Sequence, residues 1–149
     1  MKSRLLFTPF FTITLLFLSF SAYSADAPSE KTPLNALKGE ALHIKLVEVA
    51  YQYDSYNKRC RGLSISREVD EVNRLFLRKY GITINNFIKL NIDRDTRGYQ
   101  QSIQRDFYNT LYEMGGCEAT KETDFLDTMR NKFRLLIDNT QTSPWFPRT

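Results

Sequence analysis

The chain has 149 residues, with 21 Lys plus Arg against 17 Asp plus Glu, one histidine and two cysteines. That length suits one small domain and not two, and a lone histidine is too few for a zinc or copper site, which draws several nitrogen or sulfur ligands from nearby positions. Two of the basic residues fall in the first four positions, so the rest of the chain is nearly balanced and lacks the basic footprint of a nucleic-acid binder.

The opening stretch has Lys2 and Arg4 ahead of an apolar run from Leu5 to about Phe20, then Ala22 and Ser24 at a small-x-small spacing. This is the pattern of a secretory signal peptide, with cleavage expected after Ser24. No cysteine follows the cut to take a lipid, and no later apolar stretch approaches the length of a membrane span. The expected product is a periplasmic or secreted protein. Residues 25–38 contain two prolines and little apolar content and read as a flexible leader.

The first helix is expected from Gly39 to about Lys58, where Leu42, Leu46, Val49, Tyr53, Tyr56 and Cys60 follow a 4-3-4-3-4 spacing and make one buried seam. A second helix is expected behind Ser66 as N-cap, with Glu68, Asp70 and Glu71 at its positive end, an inward stripe of Val69, Val72, Phe76 and Tyr80, and Gly81 as terminator. Residues 82–92 fit either a strand or a short helix capped by Thr83. Helix is preferred, because no partner strand is visible elsewhere. Asp95 or Thr96 then opens a fourth helix with Tyr99, Ile103, Phe107, Leu111 and Met114 facing in, stopped by Gly115 and Gly116. The last helix, capped by Thr120 or Thr123, buries Phe125, Met129, Phe133 and Leu136 and ends near Asn139. Pro144 ends any helix beyond it, and the apolar pair Trp145 and Phe146 is expected to dock on the bundle. The fold class is therefore all-α, a single-domain bundle of four to five helices over residues 39–140, with a Pro/aromatic tail at 141–149.

Cys60 and Cys117 each end an inward seam, and in an oxidising compartment they are expected to pair. A reactive thiol at Cys60 is the rival, since Lys58, Arg59 and Arg61 surround it, but basic residues also belong at a helix C-terminus. Residues 91–102 resemble a calcium loop through Asn91, Asp93 and Asp95, yet Thr96 stands where the glycine is needed and Ser102 where the bidentate glutamate is needed. An interhelical turn is the better reading. His43 is expected at the surface or half-buried, and no pair of carboxylates is set apart by an apolar setting. No nucleophile elbow, S-x-x-K or phosphate-binding glycine loop is present, so no catalytic residue, metal or cofactor is expected.

Aromatic content is what stands out. Arg105, Tyr108 and Tyr112 step by three and four along the fourth helix and form a stripe beside its buried one. Tyrosine with arginine is the composition of protein-binding hot spots, so these three, with Trp145, are the expected contacts to a protein partner. In architecture the chain looks like the small helical periplasmic immunity proteins that neutralise secreted toxins, which share a signal peptide, a folded part of this size and one disulfide near the last helices. That likeness implies an inhibitor-like binding protein. An envelope accessory or stress chaperone of similar size is the alternative. A small hydrolase using scattered carboxylates or His43 is the competing class.

Overall fold

The computed structural model describes residues 33–149; the expected signal peptide and most of the leader lie outside them. Every element is helical: a 3-10 turn at Leu34–Ala36, then α1 (Gly39–Arg61), α2 (Arg67–Tyr80), α3 (Ile84–Asn91), α4 (Thr96–Glu113), α5 (Gly116–Lys121) and α6 (Phe125–Thr142). That is six α-helices among the described residues, one more than the upper expected count, and the added one is α5.

α1 is the axle. It packs against α2, α4 and α6, and its buried set extends past the expected seam to His43, Val47, Ala50, Asp54, Ser55 and Asn57. A helix with neighbours on three sides has no wide solvated face, so its sequence is only weakly amphipathic. The other long helices have one face to bury. α2 uses Val72, Leu75 and Phe76, with Val69 and Tyr80 half-buried at its edges. α4 uses Ile103, Phe107 and Leu111, and α6 uses Met129, Phe133, Leu136 and Ile137. Met114, expected on the α4 stripe, is exposed: it caps α4, its N–H still on the Thr110 carbonyl at 3.0 Å, and the chain turns away directly after it.

Residues 82–92 resolve in favour of helix: the Thr83 hydroxyl accepts from the Asn86 N–H at 3.1 Å, and Asn73 Oδ1 takes the Ile84 N–H at 2.9 Å. At the start of α4 the Asp95 carboxylate accepts from the Gly98 N–H at 2.9 Å. Gly115 and Gly116 do stop α4, both with positive φ (89° and 79°), but the chain turns there and re-enters helix at once as α5. α6 begins behind Asp124, not behind Thr120 or Thr123. Thr123 contributes by taking the Phe125 N–H at 3.3 Å, whereas the Thr120 hydroxyl turns back to carbonyls of α5. α6 also runs to Thr142, one turn beyond the expected end.

Cys60 and Cys117 are disulfide-bonded and there is no free cysteine. The bond joins the C-terminal end of α1 to α5, a helix that otherwise leans on α4 and α6. The last of the leader is not detached: Leu34 and Leu37 pack on the core, and the turn that holds them lies against α6.

Candidate functional site

The C-terminal end of α1 is where chemistry-bearing side chains gather. Lys58, Arg59 and Arg61 occupy its last turn, and Gly62 closes it in the left-handed conformation at φ 68°. The chain reverses there, and the Leu63 N–H bonds the Asn57 carbonyl at 3.1 Å. Residues 62–66 then cross to α2 without regular structure. Ser66 makes no side-chain cap. The cap comes from α1 instead: Asp54 accepts from the Glu68 N–H at 3.2 Å and from the Val69 N–H at 2.9 Å, so an acid fourteen residues back supplies the acceptors that the first turn of α2 lacks. Asn57 completes the tie by donating to Glu68 Oε2 at 3.2 Å and accepting from Arg61 at 2.9 Å.

Asp54 is buried. Loss of hydration, together with the neighbouring Glu68 carboxyl, raises its pKa well above the ordinary aspartate range, against the pull of its two backbone N–H partners. The same burial, with Asp54 nearby, pushes the Tyr51 hydroxyl up to about 12. Asp54 and Glu68 are thus a carboxyl pair set apart by its surroundings, contrary to the expectation that none exists. Both Asp54 oxygens are committed to backbone N–H groups, which gives the pair a structural task.

The loop at 62–66 forms a ridge between two depressions. On the α6 side lies a groove of about 830 Å³ with Tyr53, Phe133 and Ile137 among its lining and Arg61, Arg67 and Arg134 around it. Glu68, Glu71 and Asp138 also line it. Arg130 is paired with Asp127 at 2.6 Å, but Arg61, Arg67 and Arg134 belong to no ion pair among the described residues. On the α4 side is a smaller depression of about 120 Å³ reaching Lys58 and Gln104. The ridge itself shows apolar side chains to solvent: Leu63 is 45% exposed and Ile65 72%.

The expected contact residues divide between two places. Tyr112 is 83% exposed. Arg105 is exposed and pairs loosely with Asp106 at 3.6 Å. Tyr108 is half-buried, with the Arg59 guanidinium 5.7 Å above its ring and its hydroxyl accepting from Gln104 at 3.1 Å. Through Arg59 and Gln104 this stripe adjoins the α4 side of the ridge. Trp145 is elsewhere. Its ring lies 4.5 Å from that of His43 and rests on Gly39, at the opposite end of α1, about 30 Å away at 1.5 Å per residue. It does not share a surface with Tyr108.

His43, expected at or near the surface, is fully buried. Its Nδ1 faces the Gly39 carbonyl at 2.6 Å, an acceptor only, so Nδ1 carries the proton and Nε2 accepts from the Tyr80 hydroxyl at 2.5 Å. Burial lowers its pKa. Tyr80 and Trp145 cover the ring. The would-be calcium loop is likewise occupied by its own backbone, with Asp93 accepting from the Asp95 N–H at 2.8 Å and Asp95 capping α4. Among the described residues no group of three or more His, Cys, Asp or Glu is placed to hold a metal ion, and no helix is long and apolar enough to cross a membrane.

The sequence reading missed Leu63 and Ile65. Spacing alone hid them: Leu63 lies three past Cys60 and Ile65 four before Val69, so each is in register with a flanking helix seam and nothing in the pattern marks it as exposed. Comparison with protein-family models, with curated proteins and with solved structures finds no match to this chain.

Proposed function

We propose that this is an exported protein that acts by binding another protein through the end of the bundle built around Leu63 and Ile65. The observation that carries this reading is the exposed apolar ridge beside a groove that Tyr53, Phe133 and Ile137 help to line, with three guanidiniums that belong to no ion pair among the described residues. Apolar anchors ringed by arginine, with Tyr108 and Tyr112 on the adjoining flank, have the composition of binding hot spots. Export rests on residues 1–24, and the disulfide is in keeping with an oxidising compartment. A catalytic reading has less behind it, because the two shielded groups, Asp54 and His43, are both engaged in holding backbone or side chains in place.

The test pairs affinity with stability. The purified protein is used to capture its partner from envelope extract, and Leu63→Ser/Ile65→Ser and Tyr112→Ala are then compared with the unaltered chain against that partner. All three side chains are exposed, so the thermal midpoint should hold, while loss of a true anchor costs about 2 kcal/mol or more, roughly a thirtyfold fall in affinity. Full affinity in the loop variant refutes the placement.

A further inference from the structure

The C-terminal segment after α6 has no regular structure, yet it is fastened at four points. Lys79 Nζ donates to the carbonyls of Thr140, Gln141 and Ser143 at 2.6, 2.8 and 2.6 Å, satisfying groups that the end of α6 leaves without partners. Trp145 lies against His43 at 4.5 Å and against Phe87 at 6.4 Å. Phe146 meets the edge of Tyr80 at 5.5 Å. Asn91 accepts from the Arg148 N–H at 3.0 Å. The chain has one histidine and one tryptophan, and they are in contact.

We propose that residues 143–149 are an acid-released strap, latched at neutral pH by the seating of Trp145 on neutral His43. A second proton on His43 has one place to go. Nδ1 already holds one against the Gly39 carbonyl, so the added proton lands on Nε2, where the Tyr80 hydroxyl now donates. The hydroxyl must turn, and its own hydrogen loses its acceptor. The resulting cation is enclosed by Phe76 and Tyr80 of α2, Phe87 of α3 and Trp145 of the strap. Among the described residues the charged group acting on it is Lys79, which repels it. Attraction to aromatic faces returns less than the hydration a buried imidazolium loses. Water must therefore reach the ring. The cover on three sides is packed helix, and the fourth is the strap, the element with the least structure to lose. Burial already holds the His43 pKa below its ordinary value, in the direction this requires.

The scheme fixes the numbers. If the proton binds only when the strap is off, each tenfold preference for the latched form lowers the transition by about one pH unit from the free imidazole value of about 6.5. A hundredfold latch then opens halfway near pH 4.5.

The experiment follows Trp145 fluorescence, the His43 ring resonance and far-ultraviolet dichroism of the purified protein from pH 7.5 to 4. The expected result is a red shift of the emission maximum and a gain in acrylamide quenching, with the same midpoint as the His43 titration and with helix content preserved. Asn91→Ala, which unties Arg148, should move that midpoint upward towards 6.5. Three outcomes overturn the proposal: intensity loss with an unmoved emission maximum, which would mean that the proton is accommodated under a closed strap; a tryptophan transition unrelated to the His43 midpoint; or exposure only together with loss of helix. His43→Gln should abolish the shift, and should that variant not fold, the coincidence of midpoints and the Asn91→Ala displacement still decide.

Discussion

Removing the Cys60–Cys117 bond should cost this protein much of its stability, and the size of the loss follows from what the bond encloses. The closed loop spans a sequence separation of 57 and contains all of α2, α3 and α4. In the chain-entropy model a loop of that length removes about 14 cal/mol/K from the unfolded ensemble, or about 4 kcal/mol at 25 °C. A domain of this size has an unfolding entropy near its midpoint of roughly 0.23 kcal/mol/K, so the thermal midpoint should fall by about 17 °C. Both cysteines are half-buried at the edge of the core, so Cys60→Ser/Cys117→Ser adds little cavity cost to this term. The assay is thermal unfolding by circular dichroism of the double variant beside the unaltered protein with and without reductant, where the reduced protein and the variant should coincide. α5 should loosen first, since it has six residues and the bond is its covalent hold on α1. A fall of less than about 5 °C would refute the reasoning, because it would mean that the unfolded chain is already compact enough to keep these ends together.

Two further perturbations test single ties. Asp54→Ala should cost about 2 kcal/mol in denaturant unfolding by leaving the Glu68 and Val69 N–H groups without an acceptor; because the Asp54 pKa is raised on folding, the native state holds the extra proton, so the advantage of the unaltered protein over Asp54→Asn should shrink as pH rises from about 4 to 7. The opposite slope would show that the two N–H bonds outweigh burial. Gly98→Ala should not give the usual helix gain of about 1 kcal/mol, since the added Cβ would stand 2.2 Å from Asp95 Oδ2, the carboxylate oxygen beside the one that caps α4, but it should give that gain in an Asp95→Ala background; equal effects in both would refute the clash.

How far the fold could be read from the sequence depended on how many sides of each helix are covered. α2 and α4 have one buried face, and the expected stripes largely match the buried residues. α1 is covered on three sides, so a seam search found Leu42, Leu46, Val49, Tyr53 and Tyr56 but not Val47, Ala50 or His43. α5 has six residues, fewer than two turns, and carries no period to detect. The cysteines were legible because there are two of them and Cys60 ends the α1 seam; Cys117 lies in α5, past the turn that ends the α4 stripe.

What the sequence withheld are contacts between distant positions. Nothing local marks Asp54 as the cap of a helix that starts thirteen residues later, or His43 as the seat of a tryptophan 102 positions along. Those two contacts specify the two ends of α1 differently. At the C-terminal end, a disulfide and the bonds of Asp54 and Asn57 fix the ridge and the groove beside it. At the N-terminal end, His43 is covered by a segment that has ring contacts and backbone ties but no structure of its own. The last turns of α6 belong to both regions. Asp138 and Gln141 line the groove, and the Gln141 carbonyl is one of the three that Lys79 holds. Under the strap proposal, a change at the strap would reach the groove through this shared end of α6.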